Sequence, residues 1–182
     1  RNFYCFYKTI YECDASLDFC KYEVRKNPLL LGYLPYQVFS AFLFKAKLIS
    51  RKEFKQRFFI FLRSTRTLDL DDFWDHHQSK IKPWYLKQKK SNDLIISASP
   101  EFILKEMTDR LQISLIGTKM NPKTGKITGE NCRGEEKVRR FQKQYQDASI
   151  NQFYSDSQSD TPLKLLAKES FLVKKDQLSP WS

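Results

Sequence analysis

Carboxylates, a hydroxyl and cations follow the apolar runs of this 182-residue chain at the points where the runs end. Asp156 and Asp160 come after the fourth run, and Ser97 comes after the second. Two carboxylates four residues apart supply the hard oxygen ligands that Mg²⁺ prefers. A hydroxyl at Ser97 and a cation at Lys137 or Arg133 can hold the oxygens of a phosphoryl group. The pattern favours a site for a phosphate group and a magnesium ion.

Each of these signals has an ordinary structural explanation when it is taken singly. The S-D-x-x-x-D string at 155–160 is typical of a helix cap with a solvated acid, and a lysine such as Lys137 is typical of a protein surface. Together, these residues are stronger evidence for a binding site, because ligands of an open parallel sheet bind beyond the carboxyl ends of its strands. We therefore expect them to converge on one edge of the sheet.

The elements that must position these residues alternate along the chain. Short apolar runs typical of buried parallel strands occur at 3–6, 94–96, 113–116, 150–154 and 171–173. Helical patterns lie between the later runs, at 101–111, 134–145 and 161–168. This alternation predicts an α/β fold with a Rossmann-like parallel sheet flanked by helices.

Residues 17–90 interrupt the alternation, because they hold three or four helical segments and no convincing strand. We interpret them as an inserted all-helical cap on a core formed by 1–16 and 91–182. Asp14 begins one predicted helix, and Ser50 begins another as part of a capping box. The apolar residues of that second helix are predicted to be packing residues of the cap: Phe54, Phe58, Phe59 and Leu62. A turn at 121–126 predicts a short β-hairpin.

Charge and cysteine content narrow the function classes. The 32 Lys and Arg against 21 Asp and Glu give a formal net charge of +11, which favours anionic partners. The basic residues are spread along the chain without interleaved stacking aromatics, so no nucleic-acid partner is expected. Four cysteines without paired metal-ligand spacing predict an intracellular, cytoplasmic protein.

The uncharged segment 29–44 raises the question of a membrane. Its sixteen residues fall short of the ~20 that span a bilayer, and Pro35 interrupts them. We expect a buried or interfacial helix. A membrane surface is kept as a partner that is less favoured than a small phosphorylated substrate.

Three longer strings resemble the second, third and fourth motifs of the haloacid dehalogenase superfamily. They are I-I-S-A-S-P-E-F at 95–102, G-E-N-C-R-G-E-E-K-V at 129–138 and Y-S-D-S-Q-S-D-T-P-L at 154–163. Their order and the helical insertion after the first motif are most similar to the phosphoserine phosphatase-like branch. The resemblance implies a Rossmann-like core, a helical cap, Mg²⁺, and hydrolysis of a small phosphorylated metabolite through an aspartyl-phosphate.

The resemblance also implies a role for individual residues. The residues expected to bind phosphate are Thr9, Ser97, Ala98 and Arg133. Lys137 would orient the nucleophile and the phosphate, although some relatives place this cation where the chain has Arg133. Asp156 and Asp160 would hold the metal together with the residues at positions 5 and 7.

The first motif departs from the family pattern. The family has D-F-D-x-T, whereas this chain has C-F-Y-K-T at 5–9, so Cys5 stands at the nucleophile position and Tyr7 at the acid/base position. A thiolate suits Mg²⁺ poorly, and a tyrosine with a pKa near ~10 is a feeble base at neutral pH. A cysteine-phosphatase site is not expected, because Tyr11 stands where such enzymes need arginine.

These substitutions leave three hypotheses. The first is a magnesium-dependent phosphomonoesterase whose turnover suffers from Cys5 and Tyr7. The second is a catalytically silent protein that binds a phosphate-containing ligand. The third is a lipid-phosphate phosphatase that works at a membrane surface.

Overall fold

A computed structural model of the protein describes residues 1–146 and 148–181. Six strands form one sheet in the order β3-β2-β1-β4-β5-β6, and every neighbouring pair is parallel except β5 and β6. The strands are β1 (Asn2–Tyr4), β2 (Leu94–Pro100), β3 (Ser114–Thr118), β4 (Ile150–Ser155), β5 (Ala167–Lys174) and β6 (Gln177–Pro180). The predicted α/β fold class is confirmed.

Helices join the strands and build the insertion. They are α1 (Ala15–Lys26), α2 (Leu34–Lys45), α3 (Arg51–Phe58), α4 (Leu70–His77), α5 (Pro83–Gln88), α6 (Glu101–Arg110), α7 (Glu135–Gln144) and α8 (Thr161–Lys164). The predicted helix at 161–168 is wrong beyond Lys164. Ala167 instead begins β5, where it pairs with Ile150 of β4.

The core lies on both faces of the sheet, because successive residues of a strand point to opposite sides. Tyr4 of β1 stacks on Tyr154 at 4.7 Å and meets Tyr85 edge-on at 4.8 Å. Its neighbour Phe3 points the other way and meets Phe141 of α7 at 4.7 Å. Both β1 residues are fully buried, so this short strand is fixed by packing on two sides.

The inserted helices begin at the predicted caps. The Asp14 carboxylate accepts the Ser16 and Leu17 N–H groups at the start of α1, and the Ser50 hydroxyl accepts the Glu53 N–H in α3. The division at 17–90 stays a prediction, since α5 at its end packs on the core through Tyr85. Among the described residues, no helix combines the length and apolar content that crossing a membrane requires.

The predicted hairpin is reduced to a single antiparallel bridge between Met120 and Ile127. It fastens the insertion to the core, because the Ile127 N–H donates to Gln56 Oε1 of α3 at 2.8 Å. Gly125 has a φ of 71°, which favours glycine, and a side chain there would lie 2.6 Å from the Phe59 carbonyl. An ion pair between Lys52 and Glu130 at 3.1 Å joins the same two regions.

Candidate functional site

The carboxyl edge of the sheet faces the inserted helices across a cavity of about 560 Å³. Its walls include the predicted residues Cys5, Tyr7, Ser97, Lys137, Asp156 and Asp160. Ala98 and Arg133 also line it. The residues that the sequence pattern set at separate strand ends therefore do meet at one place.

Cys5, Lys137 and Asp160 form a buried cluster at the floor of the cavity. The Cys5 thiol donates to Asp160 Oδ2 at 2.9 Å, and the Lys137 ammonium donates to Asp160 Oδ1 at 2.7 Å. Lys137 Nζ also lies 3.1 Å from Cys5 Sγ, and the Ser155 hydroxyl donates to Asp160 Oδ2 at 2.7 Å. Each of the three residues of the cluster is no more than 4% exposed. Both Asp160 oxygens are thus already engaged by protein donors.

Local turns bring these side chains inward. Gly134, with a φ of 55° and a ψ of −128°, has a backbone conformation that favours glycine and turns the chain into α7. Lys137 then lies in the first turn of that helix. On the other side, the Ser157 hydroxyl accepts the Ser159 N–H and begins a short 3-10 turn that ends at Asp160.

Burial sets the protonation of the cluster. Burial and the nearby Asp160 carboxylate raise the pKa of the Cys5 thiol well above its ordinary value. Burial opposes the charge on Asp160, but the Lys137 ammonium and the hydrogen bonds lower the pKa of that carboxyl. Burial likewise opposes the charge on Lys137, but Cys5 and Asp160 raise its pKa. Near neutral pH the cluster is an ion pair of Lys137 and Asp160 beside a neutral thiol.

Asp156 lies at the cavity wall and is held by Thr9. The Thr9 hydroxyl accepts the Asp156 backbone N–H at 3.1 Å and approaches Asp156 Oδ1 at 3.4 Å. Thr9 itself is fully buried and does not line the cavity, so it is placed to position Asp156 and not to touch a ligand. Burial and the charge of Asp160 raise the pKa of the Asp156 carboxyl.

The two remaining predicted groups differ in exposure. Tyr7 is 41% exposed at the rim, with the Lys8 ammonium 5.2 Å from the centre of its ring. Ser97 is buried beneath the cavity, and its hydroxyl accepts the Ser99 N–H at 3.0 Å. This bond leaves the Ser97 hydroxyl proton available for a ligand oxygen.

Lys55 and Arg51 of α3 also line the cavity, and sequence reasoning missed both. The Lys55 ammonium donates at 2.6 Å to the Ala98 carbonyl and at 2.6 Å to Asn131 Oδ1. Burial lowers the pKa of Lys55 to about 8. Burial and the nearby Arg133 lower the pKa of Arg51, so two guanidinium groups repel each other across the opening. The available signal was the spacing of four residues between Arg51 and Lys55 in the helix that begins at Ser50, because this spacing places both on one helix face.

Aromatic rings of α3 and the following turn form the remaining wall. Phe54, Phe58 and Phe59 line the cavity, and Phe59 is also fully buried in the core. Phe54 and Phe58 pack among the inserted helices as predicted, against Phe44 and Phe59, and they are also partly exposed to the cavity. A ligand seated here meets both cations and phenyl rings of α3.

The residues present do not fit a magnesium ion. The described residues contain no group of three His, Cys, Asp or Glu side chains that could hold a metal. Both Asp160 oxygens accept hydrogen bonds from Lys137, Cys5 and Ser155, and the Cys5 sulfur would be a soft ligand for the ion. Asp156 remains as the one carboxylate of the predicted set that no cation neutralises, and a single carboxylate leaves most of the coordination to water.

Comparison with known proteins identifies the family of this chain. The model of the haloacid dehalogenase-like hydrolase family matches residues 6–164. No curated protein sequence matches the chain.

Solved structures with the same fold cover nearly the whole chain. A protein of unknown function from Bordetella pertussis Tohama I aligns with a TM-score of 0.71 at 14% identity, over 93% of this chain and 87% of that chain. A phosphoserine phosphohydrolase-like protein from Francisella tularensis subsp. tularensis SCHU S4 gives 0.55 at 18% identity, over 93% and 85%. A substrate-bound phosphoserine phosphatase gives 0.57 at 13% identity, over 92% and 82%. At these identities the likeness concerns the fold.

Proposed function

Because this chain belongs to the haloacid dehalogenase-like hydrolase family, we propose that its cavity binds the phosphate group of a small phosphorylated ligand without hydrolysing it through an aspartyl-phosphate. The family assignment made from the motifs is confirmed, and the scaffold is of the phosphatase-type hydrolase class. The observation that carries the proposal is the neutral, buried Cys5 thiol between Lys137 and Asp160.

Several cavity groups support recognition of a phosphate. Ser97 offers a hydroxyl, and Arg133 at the rim makes no ion pair with any described residue. Lys55 carries a charge at neutral pH that is held only by neutral oxygens. A phosphate dianion that reaches Lys55 and Arg133 gains charge-assisted hydrogen bonds in a partly buried setting, where such bonds are stronger than in water.

The first-motif residues argue against turnover. Attack on phosphorus needs an ionised nucleophile, and burial disfavours the Cys5 thiolate. Tyr7 supplies no carboxylate at the position where the family has its acid/base residue. Binding and hydrolysis are therefore separable in this chain.

Magnesium-dependent hydrolysis of a small phosphorylated metabolite is the second candidate. The specific observation that favours it is Asp156, which lies at the cavity wall and is oriented by Thr9. Cys5 and Tyr7 leave the oxygen-donor set around Asp156 incomplete, so this candidate requires an ion held by Asp156 and water alone.

Restoring the carboxylates tests both candidates together. The unaltered chain, Cys5→Ser and the double variant Cys5→Asp, Tyr7→Asp are assayed with p-nitrophenyl phosphate and Mg²⁺. We expect turnover only from the double variant. We also expect Mg²⁺ to raise the melting temperature of the double variant alone, which gives a readout apart from activity.

Cys5→Ser keeps a neutral hydrogen-bond donor and is the matched control. If the unaltered chain hydrolyses the ester as fast as the double variant, the proposal is wrong. If the double variant neither binds Mg²⁺ nor turns over, the assignment of this cavity to phosphatase chemistry is wrong.

A further inference from the structure

Residues 27–44 form a segment without a single charged side chain. It folds as a 3-10 turn, Pro28–Tyr33, followed by α2. The polar residues of α2 face the protein: Ser40 is fully buried, and Gln37 Nε2 donates to the Phe58 carbonyl at 2.7 Å. Its large apolar residues face away from the protein. This is the reverse of the usual arrangement in a surface helix.

The outward apolar side chains lie within residues 29–48, and together we call them the apolar cap surface. Its members are Leu29, Leu31, Leu34, Val38, Phe39, Phe42 and Leu48. Each is at least half exposed, and Leu29 reaches 86%. Isolated exposed leucines are normal on a protein, whereas a concentration of this kind marks an interaction site.

The charged residues within the sequence interval that holds this surface are all basic. Between Glu23 and Glu53 the chain has no acidic residue, and its cations in that interval are Arg25, Lys26, Lys45, Lys47, Arg51 and Lys52. Glu23 is buried, and Glu53 is paired with Arg57. Arg25, Lys45 and Lys47 form no ion pair with any described residue. Any partner must therefore accept both apolar side chains and unpaired positive charge.

We propose that the apolar cap surface docks on an anionic lipid bilayer, with α2 lying in the interface. Apolar side chains enter the acyl boundary, while the flanking lysines and arginines meet lipid headgroups. A second copy of this chain is disfavoured, because face-to-face contact would bring the same cations together in a protein of net charge +11. The α2 helix has 12 residues, or ~18 Å at ~1.5 Å per residue, so it lies along the bilayer and does not cross it.

Two stacked aromatic rings connect the helix of the apolar cap surface with the cavity. Phe44 of α2 stacks on Phe54, which lines the cavity, with ring centres 5.1 Å apart. The Arg51 guanidinium lies 5.0 Å from the centre of the Phe44 ring. Docking would place the cavity close to the membrane, but the docking itself does not depend on what the cavity binds.

Sedimentation with vesicles tests the docking. The full chain is mixed with phosphatidylcholine vesicles that contain or lack phosphatidylglycerol, at low salt and at high salt. We expect binding to the anionic vesicles at low salt, with weaker binding at high salt and to phosphatidylcholine alone. Replacing Arg25 and Lys45 by glutamine is expected to lower the partition coefficient by ~25-fold, since each basic residue near the surface contributes ~5-fold.

A matched pair of leucine substitutions distinguishes docking through this surface from nonspecific adsorption to vesicles. Leu29→Gln changes a leucine in the apolar cap surface that is 86% exposed, and Leu165→Gln changes one outside it that is 76% exposed. We expect Leu29→Gln to weaken vesicle binding by ~10-fold and Leu165→Gln to leave it unchanged. Circular dichroism checks that both variants fold.

Absence of binding to anionic vesicles at low salt overturns the proposal, as does an equal effect of the two leucine changes. A dimer in light scattering that Leu29→Gln dissociates, without vesicle binding, overturns it in favour of a second copy of the chain.

Discussion

Replacing Lys137 by methionine removes the positive charge of the buried cluster while keeping most of the side-chain volume. The side chains of Lys137 and Asp160 are 6% and 4% exposed, and their ion pair spans 2.7 Å. After the change, Asp160 keeps only the two neutral donors Cys5 and Ser155. A carboxylate is then buried without a partner charge.

Breaking one side of a buried ion pair typically costs about 3–5 kcal/mol, and we expect Lys137→Met to lower the free energy of unfolding by that amount near neutral pH. The double variant Lys137→Met, Asp160→Asn removes both charges, and its amide oxygen can still accept from Ser155. It should recover at least half of the loss. With the single variant Asp160→Asn, these proteins form a double-mutant cycle, and its coupling energy measures the strength of the ion pair.

The pH dependence of the loss has a definite sign. In the unaltered chain the pKa of Asp160 is lowered, so its stabilisation is present above the unfolded pKa of ~3.9 and is lost as pH falls through the folded pKa. In Lys137→Met, burial dominates and raises the pKa of Asp160. The deficit is then largest at neutral pH and shrinks as pH falls.

Urea unfolding followed by tryptophan fluorescence at several pH values measures these quantities. A deficit under ~1 kcal/mol, or one that neither Asp160→Asn nor acid relieves, would refute a buried ion pair at this place.

Two further predictions concern the cavity. The affinity for a phosphate monoester should fall by about fivefold between pH 8 and 9, because Lys55, whose pKa burial lowers to about 8, loses most of its charge there. Isothermal titration of Lys55→Met should lack this fall, and an unchanged profile would exclude Lys55 from binding. Iodoacetamide at mildly alkaline pH should modify the partly exposed Cys13 and Cys20 well before Cys5, because the Cys5 thiol is buried and has a raised pKa. Peptide mass spectrometry follows the order of modification. Early labelling of Cys5 in the folded chain would contradict a neutral, buried thiol.

The convergence of the strand-end residues was predictable from the sequence because one rule determines it. Parallel strands end at the same edge of a sheet, so a pattern that locates β2 and β4 also places Ser97 and Asp156 near each other. The hydrogen bond that joins Cys5 to Asp160 spans 155 positions and has no local signal. Only the folded chain reveals that both Asp160 oxygens already accept hydrogen bonds from protein groups.

The contribution of α3 to the cavity could not be predicted for a different reason. The capping box identifies the helix, but no local pattern states how an inserted helix is oriented over the sheet. Lys55 is one of 32 Lys and Arg residues, and its contacts with Ala98 and Asn131 depend on that orientation.

Strand β6 and helix α2 also differ from the sequence predictions, because neither has the usual pattern of apolar residues. Strand β6, Gln177–Pro180, was missed because all four of its residues are exposed, and an edge strand of that kind has no apolar alternation. The α2 helix was expected to be buried or interfacial. Its apolar residues point outward because Ser40 and Gln37 occupy the inward face.

Phosphorus NMR of a phosphate monoester mixed with the unaltered chain, first with a chelator and then with Mg²⁺ in excess, tests the central claim most directly. The account predicts a shifted or broadened ester resonance that inorganic phosphate reverses by competition, with no growth of a free phosphate signal over hours. A resonance that the protein leaves unchanged, or a free phosphate signal that rises under either condition, would contradict it.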